Sequence, residues 1–429
     1  MSTALPSIVI TGASGFIGRY FMDFIKDQYT VIAIARRSAK EANIADHPNI
    51  HWIQWDISNA SQIKEITTYI QRKGGADFLL HLAAFYDFSY SDDIAYQRTN
   101  IEGTKNIIEV ARILKIKRFL FSSSLAACNF PRSGETIGEK TPVEANYAYA
   151  QTKKAGEAML LELSKDIPAT VIRFAAVFSD WCEYPPLYKF LGTWLSNGYD
   201  SRILGGKGNS AVPYIHIHDL ARLVLTILQN SHVLPSFDVY AASPDGSTSH
   251  RELFGIATKD FFGTQVKPLF IPRILAYPGI AIRILLGKLK ITAPPFERFW
   301  MLKYLDLKLD TDASYTRKAL KWEPLTRLHI NRRLLFILAK MKSNPMEWQM
   351  RNEAALKHIS VRTNLLIYEL LISEKERLLS TIAASILSDR NTDVMTHYQQ
   401  LEISELSLLL HTLYNVLAST ILNADRSLM

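Results

Sequence analysis

Cysteine is scarce in this 429-residue chain: Cys128 and Cys182 are the only two. A disulfide scaffold is therefore excluded, and two thiols suit a reducing compartment. No His–Cys cluster surrounds either one, so neither a metal site nor a catalytic thiol is expected. The N-terminus MSTALPS lacks a basic segment followed by an apolar stretch, so no secretory leader is expected. No segment reads as membrane-spanning, and a cytoplasmic location follows as the expectation. Internal repeats, low-complexity tracts and basic–aromatic interleaving are also missing, which argues against solenoids, disorder and nucleic-acid partners. What remains, 48% hydrophobic and 21% charged, is ordinary globular composition.

The net charge of +8 is unevenly placed. Residues 267–351 hold 17 Lys or Arg against 6 Asp or Glu, so the rest of the chain sums to −3. Within that region, 269–291 reads LFIPRILAYPGIAIRILLGKLKI, apolar but punctuated by Arg273, Arg283, Lys288 and Lys290. Two readings stay open for 267–292: a lid helix packed on its own core, which is favoured, or peripheral contact with an anionic membrane at its inner face.

Apolar runs alternate with helical patterns from the start. Strands are predicted at 7–11, 30–35, 51–55, 77–82, 118–122 and 169–173, with helices at 16–27, 60–72, 100–114 and 149–164. This rhythm predicts an α/β fold, a Rossmann-type doubly wound parallel sheet with helices on both faces. The Rossmann domain is expected over 1–178, with 214–240 returning to it, and a smaller substrate-binding region over 179–330. From 331 to 429 a helical C-terminal extension is expected. Its stripes run through Leu365, Leu366, Tyr368, Leu370, Leu371, Leu378, Leu379 and Ile382, then from Leu401 to Leu417.

The stretch TGASGFIG, Thr11 to Gly18, follows the first strand and opens the first helix. A strand that ends, turns tightly and starts a helix aims backbone N–H groups at a pyrophosphate, and glycine is needed where a side chain would block the approach. Gly12, Gly15 and Gly18 fit, with Phe16 and Ile17 between them. At the end of the second strand an NAD site places a carboxylate for the ribose hydroxyl. Here Arg36 and Arg37 stand instead, which points to NADP over NAD, with two guanidiniums for a 2′-phosphate.

The Gly-x-x-Gly-x-x-Gly spacing resembles that of the extended short-chain dehydrogenase/reductase superfamily, the NAD-dependent epimerase/dehydratase-like proteins. Asp56-Ile57 is similar to its adenine-contacting pair. His81-Leu82-Ala83-Ala84 resembles the loop under the cofactor, and Asn100 to Asn106 its helix start. Phe121 to Ser124, Tyr149 to Lys153 and Tyr214 to Ala221 match three further motifs, so the resemblance spans roughly 5–325. It implies Ser124, Tyr149 and Lys153 as catalytic residues, Ser123 being the runner-up to Ser124. It also implies cofactor contacts by Gly12, Gly15, Phe16, Ile17, Gly18, Arg36, Arg37, Asp56, Ile57, Ala83, Tyr149 and Lys153.

Tyr-x-x-x-Lys occurs three times, at Tyr69/Lys73, Tyr149/Lys153 and Tyr304/Lys308, so spacing alone decides nothing. Tyr149 is singled out because it follows a serine-ended strand and begins a crossover helix. Four residues apart on a helix, the two side chains share a face. An ammonium beside a phenol lowers a pKa that is ordinarily near 10 and lets it exchange a proton near neutrality.

For the substrate, Gly208 to Pro213 offers no Arg before Tyr214, where nucleotide-sugar enzymes of the family carry one. Leu125-Ala126 replace the Asp-Glu of dehydratases. Phe85, Tyr86, Phe88, Trp181, Tyr184, Tyr188, Phe190 and Trp194 make the region aromatic, with Phe85 and Ser124 the substrate candidates. The expectation is an NAD(P)-dependent oxidoreductase acting on an apolar alcohol or ketone, with no metal. Nucleotide-sugar epimerisation is the alternative. A cofactor-sensing or scaffold protein, acting through C-terminal helices that join a partner or another subunit, is the alternative of another class.

Overall fold

A computed structural model describes residues 5–42, 44–87, 94–289, 297–357, 374–388 and 403–423. Phe88, residues 290–292 and the tail positions Leu365 to Leu371 and Leu401 lie outside them. Seven parallel strands form the central sheet: β1 (Ser7–Thr11), β2 (Thr30–Ala35), β3 (Ile50–Gln54), β4 (Phe78–His81), β5 (Arg118–Ser124), β6 (Ala169–Phe174) and β7 (Phe237–Ala242), ordered β7-β6-β5-β4-β1-β2-β3. The order reverses between β1 and β4, whose registers pair Thr11 with His81. In doubly wound sheets the ligand crevice lies beyond the strand ends at such a reversal.

Both sheet faces are covered, as the unbroken apolar strands require. Ile8 and Ile10 pack on one side with α1 (Phe16–Ile25) and α6 (Ile217–Gln229). Val9, Ile32 and Ile34 pack on the other with α2 (Ile63–Arg72), α3 (Gly103–Leu114) and α4 (Ala148–Leu163). β1 therefore feeds alternate side chains into two layers. Helix α3 is preceded by a π-helical stretch, Tyr96–Glu102, earlier than the helix start predicted at Asn100.

The smaller region is built from α5 (Pro185–Trp194), α7 (His250–Phe262), α9 (Ile330–Ser343) and α10 (Pro345–Lys357) around Phe178, Leu191, Trp194, Phe254, Leu334 and Trp348. Tyr188 and Trp194 are thus core residues, the commoner fate of aromatics. Helix α8 (Arg273–Lys288) lies between α7 and α9 in the chain and buries one residue, Ile280. Among the described residues it therefore lacks the broad buried stripe expected of a lid helix. Toward the end of the chain, α11 (Lys375–Ser388) and α12 (Ile403–Asn423) pack together through Leu379, Ile386, Leu406, Leu410 and Tyr414. The sequence is free of Asp, Glu, Lys and Arg from 406 to 424, but His411 and Asn415 interrupt it. Among the described residues no helix is long and apolar enough to cross a membrane.

One polar clasp joins distant parts. Glu183, buried, accepts the Tyr20 hydroxyl at 2.8 Å and the Ser179 hydroxyl at 2.6 Å. Arg19 and Arg351 lie 3.9 and 4.0 Å from it, and its backbone N–H donates to Asn352 Oδ1 at 2.8 Å. Cys182 and Glu183 hold φ of 73° and 51°, a left-handed pair that non-glycine residues rarely adopt, so the clasp offsets real strain.

Candidate active site

At the end of β1 the chain turns through Gly12, whose φ is 71°. A Cβ there would stand 2.7 Å from the Ala83 nitrogen, and one at Gly18 would stand 2.5 Å from the Gly12 oxygen. Both positions demand glycine. Gly15 caps α1 without any side-chain hydrogen bond, which leaves the first backbone N–H groups to face a phosphate. This turn fits a dinucleotide. Ala83 N–H donates to Thr11 Oγ1 at 3.2 Å, which fixes the loop beneath the turn.

Arg37 reaches back over the turn: its Nη2 lies 3.3 Å from both the Ser14 carbonyl and the Ser14 hydroxyl. The Arg36 side chain is exposed at the end of β2. Asp56 accepts Ser58 N–H and Oγ–H and pairs with Arg98 at 2.9 Å. Burial opposes its charge, but the Ser58 bonds, Arg98 and Arg36 together hold the carboxyl below its usual range. Ile57 is buried against Gly103, where a Cβ would stand 2.8 Å from its side chain.

The three serines of β5 point to different partners. Ser122 donates to the His81 carbonyl at 2.8 Å and Ser123 to Glu157 at 2.6 Å. Ser124, half-buried at the strand end, accepts the Ala126 N–H at 3.2 Å. Ser123 is thereby committed to the interior, and Ser124 is the serine left at the crevice.

Helix α4 seats close on β5 because Gly156 has no side chain: a Cβ would meet the Phe121 ring at 2.3 Å. Glu157 one residue on is gripped by Arg173 at 2.8 Å, which locks the helix to β6. Lys153 is buried on this face. Its Nζ donates to the Ser122 carbonyl at 2.6 Å and lies 5.5 Å from the centre of the Tyr149 ring. Burial lowers its pKa to about 8, against the pull of Glu157. Tyr149 packs edge-on against Tyr86, ring centres 4.6 Å apart.

Phe85 lies beside this pair, but its ring meets Tyr96 at 4.9 Å. Asn100 holds its backbone from both sides, accepting Phe85 N–H at 2.6 Å and donating to Phe85 C=O at 3.0 Å. Asn100 also donates to Thr152 at 3.0 Å, so the π-helical turn couples the aromatic loop to α4. Sequence reasoning gave Tyr86 and Asn100 no site role. The signal for Asn100 was its place in the helix-start motif; Tyr86 had none beyond being aromatic. Tyr214 and Asp219 are buried, and Asp219 accepts the Leu325 N–H at 3.0 Å, so that motif braces the fold. The Cys128 and Cys182 thiols are buried, which pushes them up to about 11 and about 12 and keeps them protonated. Among the described residues no group of three His, Cys, Asp or Glu stands ready for a metal.

His81 lies under the site, its ring nitrogens 2.6 Å from Thr11 Oγ1 and 3.0 Å from Thr104 Oγ1. Burial, with the Lys153 charge, lowers its pKa from 6.5 to about 3. The folded ring is neutral where the unfolded ring gains a proton, so this stability is full above pH 6.5 and is lost as pH falls toward 3. Urea melts across that window are expected to show a shallower acid loss for His81→Gln than for the wild type. Equal slopes would assign the acid loss elsewhere.

The NAD dependent epimerase/dehydratase family profile matches residues 8–242, more than half of the chain. A UDP-glucose 4-epimerase of Mycoplasma genitalium is 24% identical over 307 residues, 66% of this chain and 89% of that protein. A 2-alkyl-3-oxoalkanoate reductase of Shewanella oneidensis is 26% identical over 242 residues, 55% of this chain and 58% of that protein. The chain spans about half the length of the curated relatives it first matches, 41% and 52%. A dTDP-glucose 4,6-dehydratase of Bacillus anthracis, solved with NAD, superposes with a TM-score of 0.61 at 16% identity, over 81% of this chain and 99% of that one. At that identity the likeness is one of fold. The glycine turn, the sheet order and the profile match agree, and the chain belongs to the NAD dependent epimerase/dehydratase family.

Proposed function

We propose that the protein is an NADP-dependent oxidoreductase acting on the alcohol or ketone of an apolar substrate. One observation carries the reading: Tyr149 stands between a buried lysine and the aromatic ring of Tyr86. Its phenol exchanges a proton with the substrate oxygen, and the Lys153 ammonium favours the phenolate. Ser124 holds that oxygen by a hydrogen bond and steadies charge developing on it. Lys153 also holds the nicotinamide ribose, and the bound nicotinamide supplies or takes up hydride. Gly12, Gly15 and the N–H groups of Phe16, Ile17 and Gly18 hold the pyrophosphate, while Asp56, Ile57 and Ala83 line the cofactor's bed. No arginine stands in Gly208 to Pro213, just before Tyr214, to grip a sugar diphosphate.

Nucleotide-sugar epimerisation is the second reading, favoured by the epimerase relative that matches across 66% of this chain. It uses the same Tyr–Lys pair with a cofactor that never leaves. Mass spectrometry of the purified protein separates the two: exchangeable NADP supports the oxidoreductase, and tightly retained NAD the epimerase.

Arg36 and Arg37 carry the cofactor preference. NADPH is expected to bind more tightly than NADH, by about tenfold to a hundredfold for charge-assisted bonds to a 2′-phosphate. The Arg36→Gln, Arg37→Gln pair removes that margin and leaves NADH affinity in place, as fluorescence titration reads. Tighter NADH binding, with NADPH affinity unmoved by the substitutions, overturns the preference.

A further inference from the structure

Helix α8 carries an exposed apolar face. Ile274, Leu275, Ile282 and Leu285 are 82%, 61%, 58% and 56% exposed. Positions 274, 278, 282, 285 and 289 recur at spacings of three and four and therefore share one face, the kind that a globular protein turns inward. Here that face is outward. Arg283, half a turn around from Ile274, points into the protein instead, with Nη1 3.3 Å from Asp200 and 3.4 Å from Glu297. Leu269, Phe270 and Phe299 extend the exposed apolar surface, and Tyr277 stacks on Phe299 at 6.1 Å. Arg251 lies over the Phe270 ring at 5.5 Å, while Ile274, Leu275, Ile282 and Leu285 stay open among the described residues.

The surface has a cationic frame. The described residues of 267–303 carry six Lys or Arg and a single acid, Glu297, which Arg283 already engages. Lys267, Arg273 and Lys288 are exposed around the apolar face. An apolar face within a cationic rim matches the layered chemistry of a bilayer surface, anionic headgroups over hydrocarbon. A second copy of this chain fits worse, because two such frames would bring like charges together. At sixteen residues the helix is about 24 Å long, too short to span.

We propose that α8 is a membrane-docking helix that lies flat on an anionic lipid surface. Ile274, Leu275, Ile282 and Leu285 enter the acyl boundary, and Lys267, Arg273 and Lys288 meet the headgroup phosphates. Docking concerns where the protein sits and holds whichever reaction Tyr149 performs. It also bears on the site. The 3-10 turn Phe299–Tyr304 packs on α8, and Tyr304 touches Phe130 at 4.9 Å, six residues beyond Ser124.

Flotation of the full chain tests this, with vesicles of equal parts phosphatidylcholine and phosphatidylglycerol at low salt. The protein is expected to rise with these vesicles and to stay behind with phosphatidylcholine alone or at high salt. The pair Arg273→Glu, Lys288→Glu is expected to weaken partition at least about fivefold per cation removed. The pair Ile282→Glu, Leu285→Glu, both at exposed positions, keeps the thermal midpoint and floats about tenfold less or worse. Failure to float at low salt overturns the proposal, and so does unchanged flotation of the apolar variant. A vesicle-free dimer that the same apolar variant abolishes also overturns it, by giving the face to a second copy.

Discussion

Tyr149→Phe lowers kcat by about a hundredfold to ten-thousandfold, the range of a lost general acid–base. Cofactor affinity stays at the wild-type value. The substitution removes one oxygen and keeps the ring, so the edge-on contact with Tyr86 survives. Lys153 keeps its bond to the Ser122 carbonyl. Lys153→Met behaves differently, because it removes both the ammonium beside the phenol and the proposed ribose contact: turnover and cofactor binding fall together. Steady-state kinetics with cofactor titration separates the two patterns. Full turnover by Tyr149→Phe would remove the assignment. Loss of cofactor binding in that variant would instead make Tyr149 a structural support.

The second large effect is on folding. A chain ending at residue 329 loses α9, whose Ile330, Leu334, Ile337 and Leu338 are fully buried against α7 and Trp348. Burying four such side chains contributes about 6–12 kcal/mol, comparable to the whole stability of a typical domain. The shortened protein is expected to aggregate or to lack a cooperative melt. A chain ending at 357 keeps α9 and α10 and is expected to melt cooperatively and retain turnover. Leu334→Ala alone costs about 2–5 kcal/mol in urea melts. A folded, active 1–329 fragment would show that the helices are dispensable.

Six strands were legible because each is an apolar run flanked by turn residues, and the glycine turn because it sits between one of them and a helix. β7 was harder. Phe237–Ala242 carries Asp238, whose carboxylate takes the Tyr315 hydroxyl at 2.6 Å, a partner 77 residues away that local pattern cannot supply. The wide turn at 96–102 has the composition of an ordinary helix; it is tied to the aromatic loop by Asn100, a bond across 15 residues. The sequence singles out Tyr149 by position and Ser124 by its strand end, and both roles are proposed. Tyr86 was not separable from seven other aromatics, since only the folded loop sets it against Tyr149. In α8 the sequence showed apolar and basic residues together, but not which side faced out, because the partners of Arg283, Asp200 and Glu297, are set by the fold.

The clasp at Glu183 has a bearing on how the protein is made. Tyr20 leaves the ribosome early, yet its partner Glu183 follows 163 residues later, and Asn352 another 169 after that. At about 5–20 residues per second, the clasp waits roughly 15–70 seconds for its last member. The glycine turn and α1 meet Ile34, Ala83 and α6 well before then, so the clasp is the late contact. Stalling translation between residues 183 and 352 would therefore strand a polypeptide with an assembled first half, an open flank and a need for chaperones.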